Sequence, residues 1–384
     1  MALTKILIMI VIALSPFEFA MTVGGVGSLL KILILCALVS WMGGTIYRTS
    51  RCVVSLSIIE KLWIFYLLLV CFSLLWASDL SRGIDYTFSI GLMVFLMIAI
   101  ANIEWNDSDL SKIILGIEIT MFAYELLMVL SPIVYMGTAG RYSISIFGKT
   151  NDPNNVAGYF VFSTVFGLYE VTKGKLRIVF GLIQIALSVY CLLKTGSRGG
   201  LIAVCVCFVS YLILATFCKK KQWKLLLIVP IIAIVISFIV NNMDAYLLER
   251  LFKNDYMVDS GSGRIEIWRT AFDIISNHFL FGIGIGSFSS VLGTGVHNNY
   301  LLILCENGII GFVSFYIPVM KCLIFSLKQK EFEIFSILMG ELFVIMFLDA
   351  YNKKFFWSAI MLALIAISKN KSMYYKDYLK GEIW

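Results

Sequence analysis

Two arginines and a histidine, each flanking a long apolar segment, have the side chains best suited to chemistry. Arg198 lies in KTGSRGG (194–200), and Arg264 lies in SGRIEIW (262–268). His297 directly precedes NNYLLILCENGIIG and is one of only two histidines in the chain. Arginines can hold a diphosphate leaving group and neutralise its charge, as a divalent cation does elsewhere. A histidine at a water interface can deprotonate or orient an acceptor hydroxyl.

Further polar residues are expected near these three. Asn299 and Glu306 are seven residues apart and therefore share one helix face. At about 1.5 Å per residue, Glu306 would lie roughly 13 Å deeper than His297 along one helix, which excludes a direct pair within that helix. A carboxylate in an apolar segment is a functional candidate, and a hydrogen bond to a neighbouring helix end is the alternative. Arg141 is placed to add positive charge to the same pocket.

Each of the three candidates also has a structural interpretation. Arg264 falls in the first turn of a predicted helix, where backbone N–H groups add to an anion site. In a structural role it would instead pair with Asp255 or Asp259. Arg198 would otherwise extend to lipid headgroups, and His297 would otherwise be a solvated loop residue.

The composition indicates a membrane protein. Of 384 residues, 60% are hydrophobic and 14% are charged, and the mean hydropathy is +0.91. Average soluble domains carry about 25% charged residues. The net charge of +7 is therefore attributed to membrane orientation rather than to nucleic-acid binding. The nine cysteines show no CxxC pair and no zinc-site spacing, so neither a metal nor another cofactor is expected.

Apolar segments of about twenty residues recur along the whole chain. They predict an all-α fold, a polytopic membrane protein with about twelve transmembrane helices in a single integral membrane domain, residues 1–384. The segments lie near residues 4–22, 27–47, 58–77, 84–103, 111–135, 153–171, 176–194, 199–218, 223–241, 298–326, 333–350 and 354–368.

The basic residues predict how these segments are oriented. Alternate connections hold about nineteen Lys and Arg on one side and about eleven on the other. By the positive-inside rule the richer side is cytoplasmic, and both termini lie there. All candidate arginines and His297 then lie on the outer side, where the one long connection covers residues 242–297.

Residues 264–277 of that long loop have the pattern of an amphipathic helix. Ser262 or Gly263 is placed to cap its first turn. At about 100° per residue the apolar side chains form one stripe opposite the polar ones, which predicts a helix lying on the protein or bilayer surface. The stripe consists of Ile265, Trp268, Phe272, Ile275 and Phe279.

Four motifs together resemble the bacterial O-antigen ligase and polymerase superfamily: SIFGKTNDPNNVAGYF, KTGSRGGLIA, SGRIEIWRTAFDIISNHFLFGIGIGSF and HNNYLLILCENGIIG. The resemblance covers roughly residues 140–320. It implies a metal-independent, GT-C-like glycosyltransferase of the bacterial inner membrane. Donor and acceptor would be undecaprenyl-diphosphate-linked glycans on the periplasmic side. The family arginines fall on Arg198 and Arg264, and the family histidine falls on His297.

The resemblance leaves the acceptor open. A polymerase joins lipid-linked repeat units, whereas a ligase transfers the finished glycan to the lipid A core. The compact chain looks like the polymerases of capsule and O-antigen clusters, and Arg250 with Gly261 matches an R-x10-G pattern of some polymerases. A polymerase is therefore favoured, with a chain-length regulator and a flippase as partner proteins. The substrate-binding residues would be Arg141, Arg250, Asn299 and Glu306.

A transporter for the lipid-linked precursor is the alternative from another class. Transporters carry paired helices broken by Gly or Pro near the middle of the membrane, with charges at that depth. Here the polar residues cluster at one face, which favours an enzyme. Lys31, Glu118 and Glu125 are the main charges within the predicted spans.

Overall fold

The computed structural model is 79% helical with almost no sheet. The described residues are 1–23, 27–49, 54–134, 140–218, 223–243, 245–252 and 264–369. Two short 3-10 helices, Ser15–Met21 and Trp223–Leu227, and three two-stranded hairpins accompany the α-helices. The hairpins pair β1 (Thr22–Val23) with β2 (Gly27–Ser28), β3 (Ile133–Val134) with β4 (Tyr142–Ser143), and β5 (Ser145–Ile146) with β6 (Lys149–Thr150).

Fifteen α-helices lie in the described ranges. They are α1 (Ala2–Ala13), α2 (Leu29–Thr49), α3 (Ile58–Ser73), α4 (Leu80–Ala101), α5 (Asp107–Leu130), α6 (Pro153–Val171), α7 (Lys175–Thr195), α8 (Arg198–Cys218), α9 (Ile228–Asn241), α10 (Ala245–Phe252), α11 (Arg264–Asn277), α12 (Ser287–Leu292), α13 (Asn299–Lys328), α14 (Phe332–Val344) and α15 (Lys354–Lys369).

Every apolar segment predicted from the sequence overlaps a described helix, although segments 111–135 and 333–350 extend past the ends of α5 and α14. Six helices of the described chain are long and apolar enough to cross a membrane, or seven if the bent pair at the N-terminus forms one span. The polytopic all-α fold is thus confirmed, whereas the count of twelve spans stays a prediction. The six are α2, α4, α5, α7, α8 and α13.

The first predicted span, residues 4–22, is interrupted rather than straight. α1 ends at Ala13, and the 3-10 helix Ser15–Met21 leaves it at an angle of 79°. Pro16 explains the break, because the residue before a proline disfavours the α conformation. The turn of the chain brings Glu18 to the start of α15, where it pairs with Lys354 at 3.2 Å.

The centre of the bundle is formed by α15 and α6. Every side chain from Lys354 to Ser368 is buried, and α6 is buried over most of its length. A helix that is apolar on all sides is stable only when other helices surround it. α15 contacts α4, α13 and α14, while α6 contacts α7, α8 and α14.

Small residues let the central helices approach closely. A Cβ atom at Gly181 of α7 would overlap the Gly167 carbonyl of α6, and one at Gly200 of α8 would overlap Ala157. Small residues at helix crossings are typical of membrane proteins, where van der Waals packing replaces the hydrophobic effect. Gly200, two residues after Arg198, therefore docks the start of α8 onto α6.

α13 is broken in its first half. Gly308 has φ 62° and ψ −169°, and the freed backbone groups are taken up by the glycine-rich segment before α12. Ile283 N–H donates to the Cys305 carbonyl at 2.8 Å, and Ile309 N–H donates to the Phe279 carbonyl at 2.8 Å. Residues 279–284 therefore lie along the broken helix and anchor the outer loop to it.

We expect Gly308→Ala to destabilise the protein. Only glycine populates this backbone region readily, and strain of this kind costs on the order of 1–3 kcal/mol. An added Cβ would also overlap the carbonyl oxygen of Leu280. Thermal unfolding of the purified protein in detergent should show a lower midpoint.

Two glycines serve as controls for that substitution. Gly148 has φ +75° with open space around a Cβ, so Gly148→Ala isolates the strain. Gly43, inside α2, has neither strain nor a neighbour within 4 Å. Equal midpoints for Gly308→Ala and Gly148→Ala would contradict a role for the close backbone approach.

α11 begins and ends at the residues predicted from the sequence, and its apolar stripe is only partly covered by the protein. Ile265 and Phe272 are each 59% exposed, and Phe279 is 53% exposed. The side toward the protein instead carries buried Ala271 and partly buried Trp268. Ile265 and Phe272 are seven residues apart and share a face of α11, while Phe279 lies just beyond its last residue, Asn277. A bilayer surface is one of the two surfaces predicted for this helix, and it could cover these exposed side chains. The proposed caps Ser262 and Gly263 lie outside the described residues.

Candidate functional site

Three arginines converge on the turn between α7 and α8. Gly196 ends α7 with φ 60°, and a Cβ there would lie 3.2 Å from Arg250 Cδ and 3.5 Å from Arg141 Cγ. Arg141 Nε donates to the Thr195 carbonyl at 2.8 Å, and Arg250 Nε donates to the Gly196 carbonyl at 3.3 Å. Arg198 Nε donates to the Arg250 carbonyl at 2.6 Å. The guanidinium groups are thereby held together at one end of the bundle.

The three arginines differ in burial. Arg141 is 5% exposed and also donates through Nη2 to Asn154 Oδ1 at 2.8 Å, which ties it to the start of α6. Arg198 and Arg250 are only partly buried. Arg141 thus braces the turn, while Arg198 and Arg250 are more exposed than Arg141.

His297 lies just before α13 in a conformation that few side chains adopt. Its φ is 55°, in the left-handed region where histidine and asparagine are the more tolerated residues. The following residue, Asn298, caps α13 by accepting from Tyr300 N–H at 3.0 Å. His297 is partly buried, so its ring borders the solvent at the rim of the bundle.

α11 is attached to the segment that carries His297. Trp268 Nε1 donates to the Val296 carbonyl at 3.0 Å. Arg264 lies one turn before Trp268 on the same face of α11, and it is partly buried. Arg264 and Trp268 therefore lie on one face of α11, and Trp268 is bonded to the residue directly before His297. Asp255 and Asp259, the structural partners considered for Arg264, lie outside the described residues.

Asp349 faces His297 from the connection between α14 and α15. Its Oδ1 accepts from Asn298 N–H at 3.2 Å, and the His297 backbone also bonds the carboxylate. A Cβ at Gly295 would overlap Asp349 Oδ2 and lie 3.9 Å from His297 Cε1, so carboxylate and imidazole flank this glycine. Burial raises the pKa of Asp349, and the His297 charge and the two backbone N–H groups oppose the shift.

Asn299 fastens the same connection to α13. Its backbone N–H donates to the Ile345 carbonyl at 2.9 Å, and its Oδ1 accepts from Ala350 N–H at 2.8 Å. Its Nδ2 donates to the Tyr316 hydroxyl at 2.9 Å. Because Asn299 is fully buried, these bonds position Asp349 next to His297. Substrate contact by Asn299 stays a prediction.

Glu306 is fully buried beside the break in α13. Its Oε1 accepts from Phe288 N–H at 3.0 Å, close to the start of α12. This contact is the hydrogen bond to a neighbouring helix end that the sequence left as the alternative. His297 precedes α13 rather than lying within it, and its carboxylate neighbour is Asp349. A role for Glu306 in substrate binding also stays a prediction.

Phe347 lies between Arg198 and Asp349 in the structure, because it contacts the glycine next to Arg198 and precedes Asp349 by two residues. A Cβ at Gly199, next to Arg198, would lie 2.6 Å from Phe347, two residues before Asp349. Lys353 adds a further charge, because it interacts electrostatically with both Asp349 and Asp152. We call this end of the bundle the site face; it comprises residues 140–152, 195–198, 293–298 and 345–353.

Asp349 and Lys353 were missed in the sequence because they follow an apolar segment as part of an ordinary short connection. The stretch FLDAYNKKFF (347–356) places a carboxylate and two lysines on the same predicted side as His297. Their predicted position on the same side of the membrane as His297 was the one signal that could have identified them. Which charge faces which ring depends on the packing of α14 and α15 against α13.

A family model described as O-antigen ligase matches residues 183–316, about a third of the chain. The matched range contains Arg198, Arg250, Arg264 and His297, whereas Arg141 lies outside it. No curated protein matches the chain. The match of residues 183–316 supports a place for the chain in the O-antigen ligase and polymerase superfamily.

Proposed function

We propose that this protein is a polysaccharide polymerase that joins undecaprenyl-diphosphate-linked repeat units. The observation that supports this best is the facing pair of His297 and Asp349, linked through Phe347 and Gly199 to the arginine turn at Arg198. An acid–base pair beside clustered guanidinium groups suits transfer of a sugar from a diphosphate leaving group.

In the proposed reaction, His297 takes the proton of an acceptor hydroxyl. The hydroxyl oxygen forms a bond to the anomeric carbon of the donor sugar as the bond from that carbon to the diphosphate oxygen breaks. Arg198 and Arg264 hold the departing diphosphate and offset its charge without a metal ion. Asp349 orients the imidazole and stabilises its protonated form, as the carboxylate of a hydrolase triad does.

The remaining candidate residues are assigned around this centre. Arg250 and Arg141 shape the diphosphate side of the pocket, and Arg141 also braces the turn. Asn299 and Glu306 maintain the connections that carry Asp349 and the outer loop. The site face would lie on the periplasmic side of the bacterial inner membrane, with both termini in the cytoplasm and residues 242–297 forming the outer loop of a single membrane domain, residues 1–384.

A ligase that transfers the glycan to the lipid A core is the second candidate, and the description of the matching family model favours it. The same residues would serve, because only the acceptor differs. A transporter is the third candidate, favoured by the breaks at Gly308 and after Ala13. Transport by the purified protein without glycan transfer would support it.

Deleting the gene and comparing the surface glycans tests these functions. Loss of a polymerase should leave the core with a single repeat unit attached. Loss of a ligase should leave long lipid-linked polymer that accumulates without attachment. A polymerase assignment is rejected if long polymer persists in the deletion strain.

A further inference from the structure

A cavity of about 330 Å³ opens next to Lys353, which follows Asp349 by four residues. It lies between the 3-10 helix Ser15–Met21, the start of α6 and the start of α15. We call it the lysine cavity, because Lys31, Lys353 and Lys354 all line it. Its volume is near the lower end of the range of about 300–1,000 Å³ for ligand pockets, which suits roughly one or two sugar rings.

Three lysines and one carboxylate, Glu18, line the lysine cavity. Lys354 pairs with Glu18 at 3.2 Å. Lys31 and Lys353 make no ion pair within 4 Å in the part of the chain that the structure describes, and Lys31 lies only over the Phe88 ring, 5.8 Å from its centroid. Burial lowers the pKa of Lys353, although nearby carboxylates oppose this. Lys353 interacts at longer range with Asp152, Asp349 and Glu18, so Lys31 is the cation that most favours an anionic ligand.

The neutral lining of the cavity suits a sugar. The Asn155 amide oxygen is buried and accepts no hydrogen bond from any described residue. It is therefore available to a ligand hydroxyl, since a buried acceptor left unsatisfied is costly. The aromatic rings of Phe19, Tyr159 and Phe355 line the same space and offer apolar faces to a sugar ring. An amide can hydrogen-bond the hydroxyls of a sugar, and an aromatic ring can pack against the face of its ring. A lysine can bind an acid group on the same sugar.

The position of the cavity connects it with the acceptor. Lys353 follows Asp349 by four residues in the same connection, and the two interact electrostatically. A sugar held by Lys353 would thus lie next to the group that is proposed to act on the acceptor hydroxyl. The arginine turn contacts the other side of this connection through Phe347.

We propose that the lysine cavity binds an acidic sugar of the acceptor glycan, a sugar that carries a carboxylate. This inference rests on the proposed transferase function and adds the chemical class of its acceptor. The same charges would attract a diphosphate, but the donor diphosphate is already assigned to the arginines at the turn between α7 and α8. The amide and aromatic lining, moreover, fits a sugar ring.

Binding of methyl glucuronide and methyl glucoside to the purified full-length protein in nanodiscs tests the proposal. Saturation-transfer NMR gives both affinities. A charge-assisted hydrogen bond contributes about 1.5–3 kcal/mol, so the glucuronide should bind at least about 10-fold more tightly than the glucoside. The double variant Lys31→Gln/Lys353→Gln should lose this preference, while Lys353→Arg should keep it. Lys112→Gln, at an exposed lysine of α5, is the matched control.

Inorganic diphosphate as a competitor separates the two sources of anion. If diphosphate binds the lysine cavity more tightly than the glucuronide, and the lysine variants abolish that binding, the assignment to an acidic sugar is overturned. Equal affinities for glucuronide and glucoside also overturn it. An unchanged thermal midpoint shows that the double variant is folded. Because no transfer step is measured, failure here is distinct from failure of the proposed function, which His297 variants test.

Discussion

His297→Asn is expected to abolish polymer formation while the protein remains folded in the membrane. A general base contributes about 10²- to 10⁴-fold to the rate, and asparagine has no group that takes up a proton at neutral pH. Asparagine also tolerates the left-handed conformation at φ 55°, so the backbone before α13 is preserved. The measurements are the chain-length ladder of surface polysaccharide and the transfer rate of the purified protein. His297→Ala should give the same loss.

The second histidine of the chain provides the matched control. His278 is exposed just after α11, so His278→Asn should leave the ladder unchanged. Asp349→Asn keeps the shape of the side chain but removes its charge, and we expect a smaller loss than for His297→Asn because the base itself remains. A normal ladder in His297→Asn would exclude the histidine as the base, and an unaffected Asp349→Asn would remove the carboxylate from the mechanism.

Arg198→Ala is expected to lower the transfer rate by about 10²- to 10³-fold, the usual cost of removing one group that stabilises a developing negative charge. Arg198 is partly buried and is the first residue of α8, where its Nε donates to the Arg250 carbonyl at 2.6 Å. Single-turnover transfer from a lipid-linked donor measures the effect. Arg198→Lys should recover it only in part, because an ammonium group lacks the two-pronged geometry that matches a phosphate.

An arginine on the exposed face of α11 is the control for this variant. Arg269 is exposed, so Arg269→Ala should retain transfer. Because Arg198 also anchors α10 through Arg250, the thermal midpoint of Arg198→Ala must be measured alongside its activity. If the midpoint is unchanged and transfer is unimpaired, Arg198 does not hold the leaving group.

The local features of the fold were predictable from the sequence. Apolar runs of helical length identify the helices, and α6 occupies residues 153–171 as predicted. The amphipathic pattern gives α11 its bounds, and the glycines beside Arg198 indicate the tight turn. These features depend on neighbouring residues, whose hydropathy and backbone preferences act over a few positions in the chain. Which surface covers the apolar stripe of α11 was not predictable, because periodicity identifies an apolar face but not the surface that it contacts.

By itself, the sequence determined an all-α membrane protein with Arg198, Arg264 and His297 near the ends of apolar helices. Only the tertiary structure decided that Asp349 is the carboxylate beside His297, and that Arg141 and Arg250 meet at Gly196. Contacts between residues so distant in the chain depend on how helices pack and where they break. Hydropathy is nearly uniform along such helices, so it specifies neither their neighbours nor their rotation.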